Sequence, residues 1–288
     1  MVLPIAAMLA AVLLWAASYS CTRIFVQAMP ASAVMLARML VAVAILAPFS
    51  KKLLRVEYKK QDIKALAAMV VFMPCLYFLL ESNALRFTTS SQAGVISGFV
   101  PLFVAVGAWI FLSEPISVLT FAGLLVSLAG VAGLTLLGNG AGTATAPLLG
   151  NALELGAMAS AAANIVLIKR LSSRYSPWTM TALQVAAGTL FFLHGIPALT
   201  RSGAALHNPA VAGCLLFLGS FVSLGAFGMY NWGMCQVSTT RAAAFIYLIP
   251  VCAVFFGWTI LGEKLNAAQI ASAAAVILGV LASQRQKA

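Results

Sequence analysis

Charge is what this sequence has least of. Lysine, arginine, aspartate and glutamate together make 8% of its 288 residues, and six of those positions are acidic. Hydrophobic residues make 62% and the mean hydropathy is +1.03. A water-soluble chain of this size could not hide that much apolar surface, so its solvent is lipid. Catalytic constellations are missing as well: there is no HExxH, no GxSxG, no Walker sequence and no His–Asp cluster, which argues against an enzyme. No cofactor or metal is implied. His194 and His207 read as solvated residues near an outer loop. Five cysteines (Cys21, Cys75, Cys214, Cys235, Cys252) sit in apolar stretches without ligand spacing, and read as small hydrophobes. Long polar segments are also absent, the longest being about a dozen residues, so no soluble domain is expected.

What fills the chain is a succession of apolar runs of 17–25 residues, the length that crosses a hydrocarbon core of roughly 30 Å as a helix. Ten such spans are expected, near 4–27, 31–49, 64–85, 89–112, 117–137, 148–170, 177–198, 210–235, 241–261 and 266–283. The first twenty residues resemble a signal-peptide core. They lack a basic leader and nine more spans follow, so an uncleaved first helix is expected.

The formal charge of +11 could suggest nucleic acid, but its placement argues otherwise. "KKLLRVEYKKQDIK" (51–64) carries six basic residues, and Lys169, Arg170, Arg174, Arg241, Arg285 and Lys287 supply six more on the same side of a ten-span chain. Only Arg86, Arg201 and Lys264 fall on the opposite side, while Arg23 and Arg38 lie inside spans. Such a bias puts the basic side, and with it both termini, in the cytoplasm. No sorting signal or glycosylation sequon is present, which is compatible with a bacterial inner membrane.

The sequence also repeats itself. "SGFVPLFVAVGAWIFLSE" (97–114) returns as "IYLIPVCAVFFGWTILGE" (246–263), with Pro101/Pro250, Trp109/Trp258, Leu112/Leu261 and Glu114/Glu263 each 149 positions apart. Ala93/Ala242 and Gly130/Gly279 extend the match, and a weaker one near 146 relates Arg23 to Lys169. A unit of five helices is odd, so the second copy enters the membrane from the opposite side. This is the inverted-topology arrangement that many secondary carriers build around a midplane site. The mirrored prolines fall about halfway along their helices and are expected to kink them toward the bundle interior. Glu114 and Glu263 stand just ahead of the next helix and read as caps. "AGVISG", with Gly94 and Gly98, reads as close helix packing.

"ALRFTTSSQAGVISGFVPLFVAVGAWIFLSEPIS" (84–117) and "STTRAAAFIYLIPVCAVFFGWTILGEKLNAAQ" (238–269) resemble the paired EamA domains of the drug/metabolite transporter superfamily. "LLWAASYSCTRIFV" (13–26) and "MLARMLVAVAIL" (35–46) are similar to that family's first two helices, with its tryptophan at Trp15 and its arginine at Arg38. The resemblance implies an all-α integral membrane protein: ten helices in two inverted five-helix repeats, 1–137 and 148–288, around a central cavity. It also implies export of small metabolites, often amino acids, and a cavity lined by spans one to four and six to nine.

Polar groups inside lipid are costly and are functional candidates for that reason. Arg38, Glu81 and Glu154 lie at similar depths in spans two, three and six, and one Arg–Glu pair would ease their burial. The other glutamate could carry protons for coupled export. Trp15, Ser18 and Tyr19 on span one, Tyr77 on span three and Ser97 on span four join them as cavity candidates. Asn164, Tyr230, Asn231, Trp232 and Tyr247 are their second-half counterparts. Ions, amides and aromatics together suit an amphipathic solute such as an amino acid. Efflux of hydrophobic cations is the competing reading, with a channel or a structural scaffold behind it.

Overall fold

The computed structural model describes residues 2–88, 93, 96–136, 145–261 and 267–284, and every regular element among them is helical. In chain order the main helices are α1 (Val2–Ala28), α2 (Ala31–Leu46), α3 (Ile63–Val70), α4 (Tyr77–Phe87), α5 (Val100–Leu112) and α6 (Val118–Leu136). They continue as α7 (Pro147–Leu171), α8 (Pro177–Phe192), α9 (Pro209–Leu216), α10 (Phe227–Met234), α11 (Thr239–Ala244), α12 (Leu248–Leu261) and α13 (Ala267–Gln284). Six helical stretches among the described residues are long and apolar enough to cross a bilayer, namely Leu3–Ala28, Ala31–Leu53, Lys60–Phe87, Leu148–Leu171, Pro177–His207 and Pro209–Met234. Shorter apolar helices accompany them at Ser97–Leu112, Val118–Gly133, Thr239–Cys252 and Ile270–Ser283. The chain is an all-helical, multi-pass membrane protein.

Local chemistry sets the helix ends. Proline opens α8 and α9, where its missing N–H costs nothing. Ser176 and Asn208 cap those helices, accepting from the Thr179 and Ala210 amides at 3.1 and 2.9 Å. α5 stops at Ser113, which takes the left-handed conformation at φ 55°, and the Glu114 amide turns back to the Ala108 carbonyl at 3.2 Å.

That turn redirects Glu114. Its carboxylate does not cap the helix that follows it, as its position in sequence suggests. It accepts from the Thr239 amide at 3.1 Å and the Thr239 hydroxyl at 2.7 Å, and so caps α11 in the other half of the chain. The expectations resting on Gly94, Glu263 and Lys264 lie outside the described residues.

Several spans are interrupted. Between α3 and α4, Met73 adopts an extended conformation (φ −144°, ψ 122°) just before Pro74. The equivalent segment between α9 and α10, Phe217–Ala226, widens into π-type turns. Tight 3₁₀ turns precede α5 at Ser97–Phe99 and α12 at Phe245–Tyr247. Pro101 and Pro250 follow four residues after Ser97 and Ile246. A proline has no N–H for the carbonyl four residues back, and in both copies the chain tightens there before the helix resumes.

The two halves interlock. α1 packs on α10, on Phe217–Ala226 and on α12; α2 packs on α8; α4 and α5 pack on α7. α6 and α13 form the most extensive helix pair, and small residues permit it. A Cβ on Gly279 would lie 2.5 Å from the Gly123 carbonyl oxygen and 2.3 Å from Ser127 Oγ, so only glycine allows this approach. Ser127 Oγ donates to the Val276 carbonyl at 3.1 Å, across a separation of 149 residues. At the end of the Lys60–Phe87 stretch, Arg174 pairs with Asp62, Tyr175 Oη donates to the same carboxylate at 3.2 Å, and Tyr58 stacks on Tyr175.

Candidate functional site

A cavity of about 630 Å³, including its open mouth, lies at the centre of the helices. The room it leaves for the centres of water-sized molecules is about 60 Å³. From the first half its wall takes Trp15, Ser18 and Tyr19 of α1, Arg38 of α2, Met73 at the break, Tyr77, Phe78 and Glu81 of α4, Ser97 and Val100. From the second half it takes Met158, Ala161, Asn164 and Ile165 of α7, Val222, Phe227, Tyr230 and Asn231, with Ile246 and Ile249. On α1 and α4 the polar lining residues, and on α7 Met158, Ala161, Asn164 and Ile165, recur at three- and four-residue spacing, which brings them to one face of each helix.

Arg38 is the cavity's cation and is 2% exposed. Its Nε donates to Ser223 Oγ at 2.6 Å, and its guanidinium carbon lies 4.3 Å from the centre of the Phe78 ring. The expected Arg38–glutamate pair is absent: among the described residues the ion pair formed is Arg174–Asp62. Ser223 and Phe78 take the carboxylate's place, a hydroxyl along the guanidinium edge and an aromatic face beneath its plane.

Glu81 instead accepts from Tyr77 Oη. Tyr19 stands within reach of Ser97 and Tyr77 and in the field of both Glu81 and Glu154. Glu154 is completely buried, and neither of its oxygens has a hydrogen-bond partner. It adjoins this cluster without lining the cavity.

Aromatic packing closes another side. Trp15 meets Phe227 and Tyr230 at centroid distances of 5.3 and 4.8 Å, and Phe227 meets Phe78 at 6.0 Å. Trp15 Nε1 and Tyr230 Oη are buried without a hydrogen-bond partner. A pair of uncommitted donors in a cavity wall is costly unless something else takes them up.

The broken helix supplies a second polar network. Gln184 Nε2 donates to the freed Met73 carbonyl at 3.1 Å and to Asn164 Oδ1 at 2.9 Å, and Ser160 Oγ donates to the Phe72 carbonyl at 2.8 Å. In lipid a freed carbonyl needs such a partner. Gln184, Ser160, Ser223 and the break at Met73 escape a reading of the sequence, although Pro74 inside an apolar run was an available signal.

Two candidates stand elsewhere. Tyr247 is fully buried in a separate apolar cluster with Ala105, Leu124, Val131 and Val276. The 3₁₀ turn that carries it aims Ile246 at the cavity and its neighbour away. Trp232 follows Tyr230 and Asn231 out of register and does not line the cavity.

An all-helical membrane bundle enclosing a mixed polar and aromatic cavity has the form of a small-molecule transporter. The sequence signature of the EamA-like transporter family matches residues 2–136 and again 148–283. The chain belongs to that family. It is 24% identical over 238 residues to the "Uncharacterized transporter YcxC" of Bacillus subtilis (strain 168), covering 80% of this chain and 75% of that one. An "Uncharacterized transporter" of Archaeoglobus fulgidus is 26% identical over 235 residues, covering 81% of each. The "Probable terminal-alkyne amino-acid exporter" of Streptantibioticus cattleyicolor is 25% identical over 284 residues, covering 97% of this chain and 93% of that protein. A crystal structure superposes with a TM-score of 0.70 at 19% identity, over 96% of this chain and 94% of the other, and shares the fold. The relatives are named as transporters, not as enzymes.

Proposed function

We propose that this protein is a secondary carrier that exports small amphipathic metabolites, amino acids foremost, from the cytoplasm by alternating access. The observation that carries the reading is the chemistry of one wall. Arg38 has its terminal nitrogens uncommitted, the Tyr77–Glu81 pair stands in the same cavity, and Trp15 Nε1 and Tyr230 Oη lack partners. A carboxylate has a bidentate cation to meet, an ammonium has a carboxylate, and a side chain has aromatic and aliphatic surface. Tyr19, Ser18, Ser97, Asn164 and Asn231 complete the polar lining. The relative named as a probable amino-acid exporter supports the substrate class.

The architecture we assign is ten spans in two inverted five-helix repeats, about 1–137 and 148–288, with both termini in the cytoplasm of a bacterial inner membrane. The family's two matches, the Ser127–Val276 bond between residues 149 apart, and the paired 3₁₀ turns before Pro101 and Pro250 support it. Under this reading those turns are where the halves flex. Glu154, buried without a partner inside the bundle, is the candidate proton carrier.

The test is counterflow of labelled amino acids in vesicles containing the purified protein. Saturable exchange supports the carrier, and no movement of any amino acid overturns it. Glu154→Gln is expected to abolish any dependence of transport on a pH gradient, and an unchanged dependence removes Glu154 from the coupling role. One observation favours a second reading. Glu81 and Glu154 lie close to a wall of Trp15, Tyr19, Phe227 and Tyr230, which would suit a hydrophobic cation. Protection of growing cells from quaternary amines, without protection from inhibitory amino acids, would favour that one.

A further inference from the structure

We infer that the cavity holds its amino acid in one orientation, with the charged groups at a polar pole and an apolar side chain at a pole that is the polar one's image in the other repeat. Amino acids with apolar side chains are thereby selected over polar ones. The inference rests on the exporter reading above.

Tyr19, Tyr77, Glu81 and Ser97 form one connected polar cluster. The repeat spacing of 146 in the first two helices of each half, and 149 thereafter, gives each a counterpart in the second half. These are Ile165 for Tyr19, Ala226 for Tyr77, Tyr230 for Glu81 and Ile246 for Ser97. Ile165, Tyr230 and Ile246 line the same cavity, and Ala226 is buried behind them. The polar cluster therefore has an image that carries no charge and is apolar but for the Tyr230 hydroxyl.

Arg38 follows the same rule. Its counterpart is Gln184, which is neutral and is occupied by Asn164 and the Met73 carbonyl. Both formal charges lining the cavity, Arg38 and Glu81, thus come from the first half. The second half's own amides are already engaged, Asn231 with Thr181 at 3.2 Å and Asn164 with Gln184. A serine or lysine side chain pressed against Ile165 and Ile246 would lose water and find no charged group there, the Tyr230 hydroxyl alone being open to it. A leucine or methionine side chain would gain apolar contact there. Hydrophobic pockets of this kind discriminate by about 10–200-fold per methylene-sized difference.

The experiment compares labelled leucine, methionine, serine and lysine in counterflow, using purified full-length protein in vesicles. Wild type is expected to favour leucine and methionine over serine and lysine by about tenfold or more. Ile246→Ser, which installs the residue its counterpart carries, should lower the leucine rate about tenfold and narrow the leucine-to-serine ratio. Ile246→Val should keep the ratio. Where Ile246→Ser fails to fold, Ile165→Ala is measured in its place, with the same narrowing expected. Equal rates for leucine and serine in wild type overturn the inference and leave the exporter reading standing. So does an unchanged ratio in Ile246→Ser, or in Ile165→Ala measured in its place, when the unfolding temperature of that variant is normal. Movement of no amino acid overturns the exporter reading itself.

Discussion

Phe78 and Phe227, 149 positions apart in sequence, meet edge to face with ring centroids 6.0 Å apart and planes at 87°. Equivalent residues of a duplicated chain touch each other only near the axis that would relate the copies. Ser127 and Val276, joined by a hydrogen bond on α6 and α13, are a second such pair. The first lies in the cavity wall and the second beside the smaller apolar cluster, so two separate regions support the two-fold arrangement proposed above.

Arg38 is the first residue to test. Because Ser223 and Phe78 hold it, and no carboxylate lies within ion-pair distance, its removal breaks no direct ion pair, although the buried Glu81 loses a nearby positive charge. Arg38→Ala is expected to cut counterflow by more than about 100-fold, with a stability cost of about 2–5 kcal/mol from the lost cation–π contact and the lost charged hydrogen bond together. Ser223→Ala removes a hydrogen bond to a charged group and should slow transport by about tenfold. Counterflow and the detergent unfolding temperature, measured on the same preparations, check both.

The broken helix offers a stability test. Gln184→Leu leaves the Met73 carbonyl and Asn164 Oδ1 without the donor they share. Leaving buried polar groups unsatisfied costs about 1–3 kcal/mol each. The unfolding temperature of Gln184→Leu should fall by several degrees, more than that of Thr189→Leu on the same helix, where the hydroxyl bonds only its own α8 backbone.

Packing of α6 on α13 predicts intolerance at glycine. Gly279→Val must push the Gly123 carbonyl and Ser127 away from positions 2.5 and 2.3 Å from its Cβ. Overpacking of this sort costs typically about 1–3 kcal/mol. Gly203→Ala, whose Cβ would meet nothing within 4 Å, is the control and should unfold like wild type.

The orientation proposed above rests on the basic residues and can be read with thiol chemistry. In a background lacking the native cysteines, Lys59→Cys should resist an impermeant reagent in intact cells, and Ala204→Cys should react. Labelling of Lys59→Cys from outside would invert the assigned topology and leave the basic bias unexplained.

Much of the cavity is legible in the sequence because lipid makes polar residues conspicuous. Trp15, Ser18 and Tyr19, or Tyr77 and Glu81, stand out against apolar neighbours at helical spacing, and a helix places such residues on one face. The method falters where the helix itself changes. Tyr247 lies in a 3₁₀ turn, so its direction departs from the helical count, and the break at Met73 exposes a carbonyl that Pro74 alone hints at. Long-range choices were equally hidden. Arg38 had glutamates at its own depth, yet it rests on Ser223 from α2's neighbour, the Phe217–Ala226 segment. Glu114 stood beside one helix and caps another 125 residues away. Sequence neighbours state what a residue could bind, and only the packing of distant helices states which partner is near.

The interlocking of the halves also bears on how the chain is made. α1 leans on α10, on Phe217–Ala226 and on α12, all of which are synthesised more than 180 residues after α1 ends. At a translation rate of about 5–20 residues per second, the first helix waits roughly 10–40 s in the bilayer before its partners arrive. During that interval the polar face carrying Trp15, Ser18 and Tyr19 has lipid, other nascent helices or the insertion machinery for company. A ribosome stalled midway through this message would therefore release a fragment that is inserted yet unable to complete its packing, and such a fragment is a natural substrate for membrane quality control.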